Sequence, residues 1–324
     1  MGPILRIIAV AIVAHVCFRI IRSPDWEIVS KVAKTYFVQL KDLKFNLIEM
    51  GMPQSWDEEA AIVIVGAGSA GLTAALEAGV HLNGQAQGHF DVIVLEKETF
   101  VGGNSMKASS GMNAYIDSTL STGDSIDQFK RDTLASGGGL SDESLVDVLV
   151  HDSGSALEFI RGLGVDLAEN PVQLGGHSQP RTYTVVNGAV GASLVKALEK
   201  AVRSKRNIDI RTDSKVARLI YENDRVQGVV YDAMGSDGTQ TRVRIKATRG
   251  VILASGGFGA NRALLGKYVS QLNPIFTTNG KFAMGEGIDM GKEMGALVKQ
   301  ISQIQIHPTG FVDPANPNGL TKVR

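Results

Sequence analysis

The sequence predicts an α/β protein with an antiparallel β insertion, on three observations. An apolar run, Ile62-Val-Ile-Val65, leads into glycines at G-x-G-x-x-G spacing (Gly66, Gly68, Gly71), then into a helical pattern, Leu72-Thr-Ala-Ala-Leu-Glu77. A second short apolar run, Val92-Ile-Val-Leu95, follows that helix and ends on an acid, Glu96. Over 207–246 the hydrophobic period changes from helical to alternating, and a last apolar run, Val251-Ile-Leu-Ala254, follows.

Taken in order, a strand spans 61–65 and a helix runs over about 69–82. A Gly/Gln/Asn-rich loop occupies His81 to Phe90, and the second strand spans 91–95. A glycine-rich loop covers 102–111. Helical periodicity returns at 142–162 and 189–203. Ile208–Arg211, Lys215–Tyr221, Val226–Tyr231 and Thr241–Ile245 read as strands joined by turns such as Glu222-Asn-Asp224 and Gly235–Gly238. Val251–Ala254 reads as a further buried strand ending in Ser255-Gly256-Gly257.

The first βαβ unit is how a chain builds a dinucleotide site. Gly66 permits a sharp turn, Gly68 lets the backbone approach the phosphates, and Gly71 lets the helix pack close. The helix beginning at Ser69 and Ala70 points free N–H groups and its positive end at the anion. Glu96 is placed to accept from ribose hydroxyls. A βαβ unit, helices, an antiparallel insertion and a returning strand form the order of a Rossmann-like FAD-binding domain. A plain NAD domain would alternate strand and helix throughout.

Composition narrows the field. The 33 basic and 33 acidic residues cancel and form no long basic run, so nothing points to nucleic acid. The single cysteine, Cys17, excludes a disulfide framework, a cysteine metal site and a redox dithiol, and no other metal site is expected. Ile7–Phe18 is apolar apart from His15, with Arg6 before it and Arg19 and Arg22 after. It is short for a membrane span, which needs about 20 residues, and fits a targeting or tethering segment. The expected organisation is a targeting or anchor segment over 1–24, with 4–21 as the possible tether, and a linker over 25–60. The expected location is mitochondrial or endoplasmic-reticulum, membrane-associated or lumenal.

Three later motifs extend the pattern: Gly102-Gly-Asn-Ser-Met-Lys-Ala-Ser-Ser-Gly-Met-Asn113, Ala254-Ser-Gly-Gly-Phe-Gly-Ala-Asn261, and Thr278-Asn-Gly280 through Phe282–Asp289 to Gln305-Ile-His-Pro-Thr309. With the first fingerprint they resemble the flavoprotein fumarate reductase/succinate dehydrogenase superfamily, in particular soluble fumarate reductases of fungal type and the flavoprotein part of flavocytochrome c. The resemblance implies a FAD-binding domain over 61–303 and the start of a substrate-capping domain over 304–324. It implies FAD contacts at Lys97, Gly103, Asn104, Ser105, Ser109, Ser110, Gly111, Asn113, Val216, Gly256, Gly257, Gly285 and Glu286. Met284 and Glu286 stand where the family has Thr and Asp. Asn104 matches the histidine that carries FAD covalently in the respiratory branch, so non-covalent FAD is expected.

The resemblance also implies that Gln305, His307 and Thr309 hold a carboxylate of a C4 dicarboxylate. The residue before a proline is driven into extended backbone, which puts Gln305 and His307 on one face. His177 and Arg181, in Gly175-Gly-His-Ser-Gln-Pro-Arg-Thr-Tyr183, receive no role, and Tyr183 replaces a family histidine. Met290 and Met294 read as helix packing. The implied reaction is hydride transfer from reduced flavin to fumarate with an arginine as proton donor. That arginine is expected beyond Arg324, so no catalytic residue is assigned within the chain, which reads as truncated. A catalytically inactive flavin-binding fragment, L-aspartate oxidase, urocanate reductase and ketosteroid dehydrogenase are the alternatives. The electron donor is open between reduced free flavin and NADH.

Overall fold

The computed structural model describes residues 55–82, 90–116, 123–269, 277–306 and 314–315. The apolar leader, His89, His307 and Thr309 lie outside the described residues.

Strand β1 (Glu58–Val65) and helix α1 (Ser69–Leu82) are followed by β2 (Val92–Leu95) and a 3₁₀ turn at Gly103–Lys107. Then come β3 (Met112–Asn113), α2 (Ile126–Ser136), α3 (Glu143–Gly162), β4 (Thr182–Tyr183) and α4 (Val190–Arg203). Strands β5 (Ile208–Arg211), β6 (Ser214–Glu222), β7 (Arg225–Met234) and β8 (Gln240–Leu253) precede α5 (Arg262–Tyr268) and α6 (Glu286–Glu293). One six-stranded sheet runs β5-β2-β1-β8-β7-β6, and β3 pairs with β4 in a separate two-stranded ribbon.

The apolar runs are continuous because both faces of the central strands are covered, as in buried parallel sheets. Ile64, Val92 and Val94 pack with Leu72 and Leu76 of α1 and with Val195, Leu198 and Val202 of α4. The alternate residues Val63, Val65, Ile93 and Leu95 pack on the other face with Val229, Tyr231, Ile245 and Met290.

Four expectations change. Ile208–Arg211 belongs to the parallel sheet, in register with Val92–Leu95, because the crossover through α4 returns the chain in the same direction. The segments 241–245 and 251–254 are parts of one long strand, β8. It pairs antiparallel with β7 through Gln240–Lys246 and parallel with β1 through Ile245–Leu253. A register shift between Ala60 and Ile62 interrupts the β1–β8 ladder. The end of β8 is not buried: Ile252 and Leu253 are each 38% exposed, and Leu253 faces a cleft. The first strand starts at Glu58, inside the stretch read as linker, where Asp57 N–H donates to Arg244 O (3.1 Å).

Helix α2 is absent from the predicted elements, although its cap is plain: Ser125 Oγ accepts from Gln128 N–H (3.1 Å). In α3, Asp142 caps through Ser144 N–H (3.2 Å). His81 sits in the last turn of α1 beside Glu77 (2.8 Å), not in a loop, and His151 lies on α3 with Nδ1 2.8 Å from Asp147 O. Among the described residues no helix is long and apolar enough to cross a membrane, and no cluster of metal ligands occurs.

Candidate cofactor site

The turn from β1 into α1 is built by contact. Gly66 has φ +104°, and a Cβ there would lie 2.6 Å from Ala254 O. A Cβ on Gly71 would lie 1.9 Å from Gly66 O, so the first turn of α1 can press on the strand end only because that atom is missing. Ser105 Oγ accepts from Ser69 N–H (3.1 Å), tying the 3₁₀ turn to the helix start.

Around this turn lies a cleft of ≈ 420 Å³. Its walls are Gly66, Gly68 and Ala70; Glu96 and Lys97; Gly102–Ser105; Ser214, Lys215 and Val216; Leu253–Gly257; and Phe282, Ala283, Glu286 and Met290. Glu96 is 8% exposed at the end of β2, and its carboxylate accepts from Ala67 N–H (2.9 Å) and Glu98 N–H (3.0 Å). A carboxylate offers about four lone-pair directions, so two bonds leave it able to accept more. Lys97 Nζ donates to Phe282 O (2.6 Å) and to Glu286 Oε1 (2.7 Å), holding the start of α6 against β2. Lys215 Nζ lies 3.9 Å from the same oxygen. Asn104 spans to the facing loop, donating to Asn279 Oδ1 (2.7 Å) and accepting from Gly280 N–H (2.9 Å).

Several expected contacts lie outside this wall. Ser69 and Gly71 are not among its lining residues: Ser69 is hydrogen-bonded to Ser105, and Gly71 is buried against Gly66. Gly285 is the left-handed residue before α6 (φ +85°), and a Cβ there would meet Phe258 Cβ at 2.7 Å. Ser109 and Ser110 are exposed. Gly111 instead packs on β4, where a Cβ would lie 2.6 Å from Tyr183 O. The Asn113 amide is engaged by His177 Nε2 (2.9 Å) and Thr182 Oγ1 (2.6 Å). Gln305 is described and exposed, away from the cleft wall.

Other wall residues had no assignment from sequence: Val65, Leu95, Ser214, Lys215, Leu253, Ala254, Ser255, Phe282 and Ala283. Met290 packs in the core as expected and also reaches the cleft. Apolar residues in a buried pattern carry no signal of facing a ligand rather than a neighbour, so only the fold reveals them.

A model of the FAD binding domain matches residues 61–324. The chain belongs to this family. Fumarate reductase 1 of Saccharomyces cerevisiae is 35% identical over 266 residues, which are 78% of this chain and 53% of that protein. NADH:fumarate oxidoreductase of Klebsiella pneumoniae is 34% identical over 261 residues, 79% of this chain and 26% of that protein. The open conformation of a flavocytochrome c3 fumarate reductase superposes with a TM-score of 0.72 at 29% identity, over 84% of this chain and 46% of that one. The chain thus spans about half or less of the length of these relatives. The cofactor of the family is FAD, and the cleft suits it. It offers a bare backbone at the start of α1, a buried carboxylate with acceptor capacity to spare at Glu96, and apolar side chains at Val65, Leu95, Val216 and Met290. At Gly256 and Gly257 an added Cβ would meet no atom within 4 Å, which leaves the cleft floor open for a group to lie on.

Proposed function

We propose that this chain supplies the cofactor-binding part of a FAD-dependent oxidoreductase that reduces fumarate to succinate. The observation that carries the proposal is the cleft in which Gly66, Gly68, Glu96, Gly256 and Gly257 converge. Its support in kind is the identity to two fumarate reductases above 30%. Bound FAD supplies the hydride. The chain's own residues fix its place: Gly68 and Ala70 present the helix start, Glu96 accepts from a ribose, and the Lys97–Glu286 pair holds the loop that closes the cleft. Asn104 forms no covalent link, so the cofactor is held without one. Gln305, His307 and Thr309 are proposed to grip one carboxylate of the dicarboxylate. Reduced free flavin or NADH is the proposed source of electrons. Residues 4–21 are proposed to tether or target the protein to mitochondria or the endoplasmic reticulum, a reading supported by their apolar and basic composition alone.

The test is anaerobic. Purified protein that carries this chain together with the expected proton-donor arginine should be yellow, should release FAD on denaturation, and once reduced with dithionite should be reoxidised by fumarate. L-aspartate oxidase of Caulobacter vibrioides is 33% identical over 257 residues, so aspartate with oxygen is the necessary control. Colourless protein that takes up no FAD overturns the cofactor assignment. Flavin reoxidised by no dicarboxylate overturns the activity, and turnover of aspartate alone moves the chain to the oxidases.

A further inference from the structure

Around the carboxyl end of α4, five basic residues fall within eleven positions: Lys196, Lys200, Arg203, Lys205 and Arg206. All five are exposed. Lys196, Lys200 and Arg203 follow one another at spacings of four and three, so they form one stripe on α4. That stripe is turned from Val195, Leu198 and Val202, which pack on the sheet. Lys205 and Arg206 continue the run past the helix end. Arg203 is paired with Glu199 (2.9 Å). Among the described residues the other four side chains have no ion-pair or hydrogen-bond partner. Elsewhere several basic side chains are matched: Lys130 with Glu143 and Asp147, Arg161 with Glu158, Arg242 with Asp232, and Lys246 with Glu59. The helix dipole favours Lys200 and Arg203 in the last turn, but it does not explain Lys196 before them or Lys205 and Arg206 beyond.

Strand register fixes where this run lies. Ile62, Val92 and Ile208 are level in the parallel sheet, and Ile208 follows Arg206 by two residues, so the run stands at the amino end of the strands. The cleft takes Val65, Leu95 and Glu96 at their carboxyl end, about 10 Å further along. Asn207 ties the basic turn to the end of α1, donating to Gly79 O (2.9 Å) and to buried Asp91 (2.8 Å). The next residue of α1, Val80, is 53% exposed, so this end also shows an apolar side chain. Glu77 of α1 is taken by His81 (2.8 Å). The chain ahead of Ile62 enters the sheet from this same end, and it carries the apolar run Ile7–Phe18 with Arg6, Arg19 and Arg22.

We propose that Lys196, Lys200, Lys205 and Arg206 form a docking face for an anionic lipid leaflet, with the cofactor cleft at the opposite end of the strands. Charge complementarity carries the proposal, since each Lys or Arg held near such a surface raises affinity about fivefold. The choice of a membrane as the anionic partner rests on the tether reading of residues 4–21. A short apolar run is a weak anchor by itself, and a basic patch supplies the second signal that stable attachment needs. The proposal does not depend on the FAD reading.

Cosedimentation of the full chain with vesicles tests this. The wild type should prefer vesicles of phosphatidylcholine and phosphatidylserine over phosphatidylcholine alone by roughly tenfold or more at low salt, and the preference should fade as salt screens it. Lys196→Gln, Lys200→Gln, Lys205→Gln and Arg206→Gln combined should remove most of that preference. The apolar leader is the same in both proteins, so the difference belongs to the patch. The urea midpoint should not move, because all four side chains are exposed. Should the leader alone saturate binding, amine acetylation decides: vesicles should protect Lys196, Lys200 and Lys205, while exposed Lys281, beside Phe282 of the cleft, stays reactive. An unchanged preference in the variant, or equal acetylation with and without vesicles, overturns the proposal. Binding to polyglutamate with no preference among vesicles assigns the patch to an acidic protein and also overturns it. Wild type that favours the serine-containing vesicles yet ignores neutral ones sinks the tether reading and keeps the patch.

Discussion

One missing carbon at Gly71 decides how close α1 comes to β1. A methyl group there would lie 1.9 Å from Gly66 O, a backbone atom that cannot swing aside. Gly71→Ala is expected to cost about 3 kcal/mol, the upper end for overpacking, and urea denaturation at constant pH measures it. Gly257→Ala is the contrasting case, because its Cβ meets nothing. Stability should stay within about 0.5 kcal/mol of wild type, while FAD affinity falls because the methyl stands in the cleft. A Gly257→Ala protein that binds FAD as wild type does would remove that glycine from the site. Tyr183 makes a third test. Its ring is fully buried and its hydroxyl has no hydrogen-bond partner among the described residues. Burial pushes its pKa up. A buried hydroxyl without a partner costs about 1–3 kcal/mol, so Tyr183→Phe should raise stability, and a clear loss would reveal a partner for the oxygen.

Between elements, Asp124 ahead of α2 and Asp132 on α2 are tied to the start of β4 through Arg181. Both Arg181 and Asp124 are fully desolvated. Breaking such a pair by removing one partner costs about 3–5 kcal/mol. Arg181→Met should therefore destabilise by that amount in denaturant unfolding and should free the 173–181 loop to proteolysis. Burial opposes the charge on Asp132, but hydrogen bonds from the Ser178 N–H, Arg181 and the Ser178 hydroxyl hold its carboxyl far below the usual range. A depressed carboxyl contributes stability that is complete above its unfolded pKa, about 3.9, and that disappears as pH falls through the folded value. His177, also depressed, by burial and then by Arg181, acts in the same direction at higher pH. The unfolded chain takes up the proton near pH 6.5 before the folded one does, so stability should begin to decline there. Asp132→Asn should flatten the acid limb of the stability–pH curve and leave the limb near pH 6 in place; loss of both limbs would contradict this division.

At the scale of the whole molecule, FAD and folding are linked, because the cleft joins the ends of β1, β2 and β8 to α6 and the 3₁₀ turn. A ligand that binds only the folded form adds about 2.7 kcal/mol at a hundredfold excess over its Kd. FAD should thus raise the melting temperature in proportion to the logarithm of its concentration. Glu96→Ala should weaken that shift, and an unchanged dissociation constant would refute its ribose role.

How much of this was legible before folding follows from the range of each signal. The Gly66–Gly71 fingerprint and the strand before it depend on neighbours a few residues away, and Glu96 closes the same βαβ unit, so their pattern carries its own physical reason. The sequence alone therefore determined the α/β class, the dinucleotide turn and the family. It could not show that β8 serves two partners at once, since an extended run looks the same whichever strand lies beside it. Nor could it show that Arg181, Asp132, His177 and Asn113 meet, since their contacts bridge up to 64 residues of chain. Only tertiary structure decided those, because burying a guanidinium requires acceptors that no local pattern can supply.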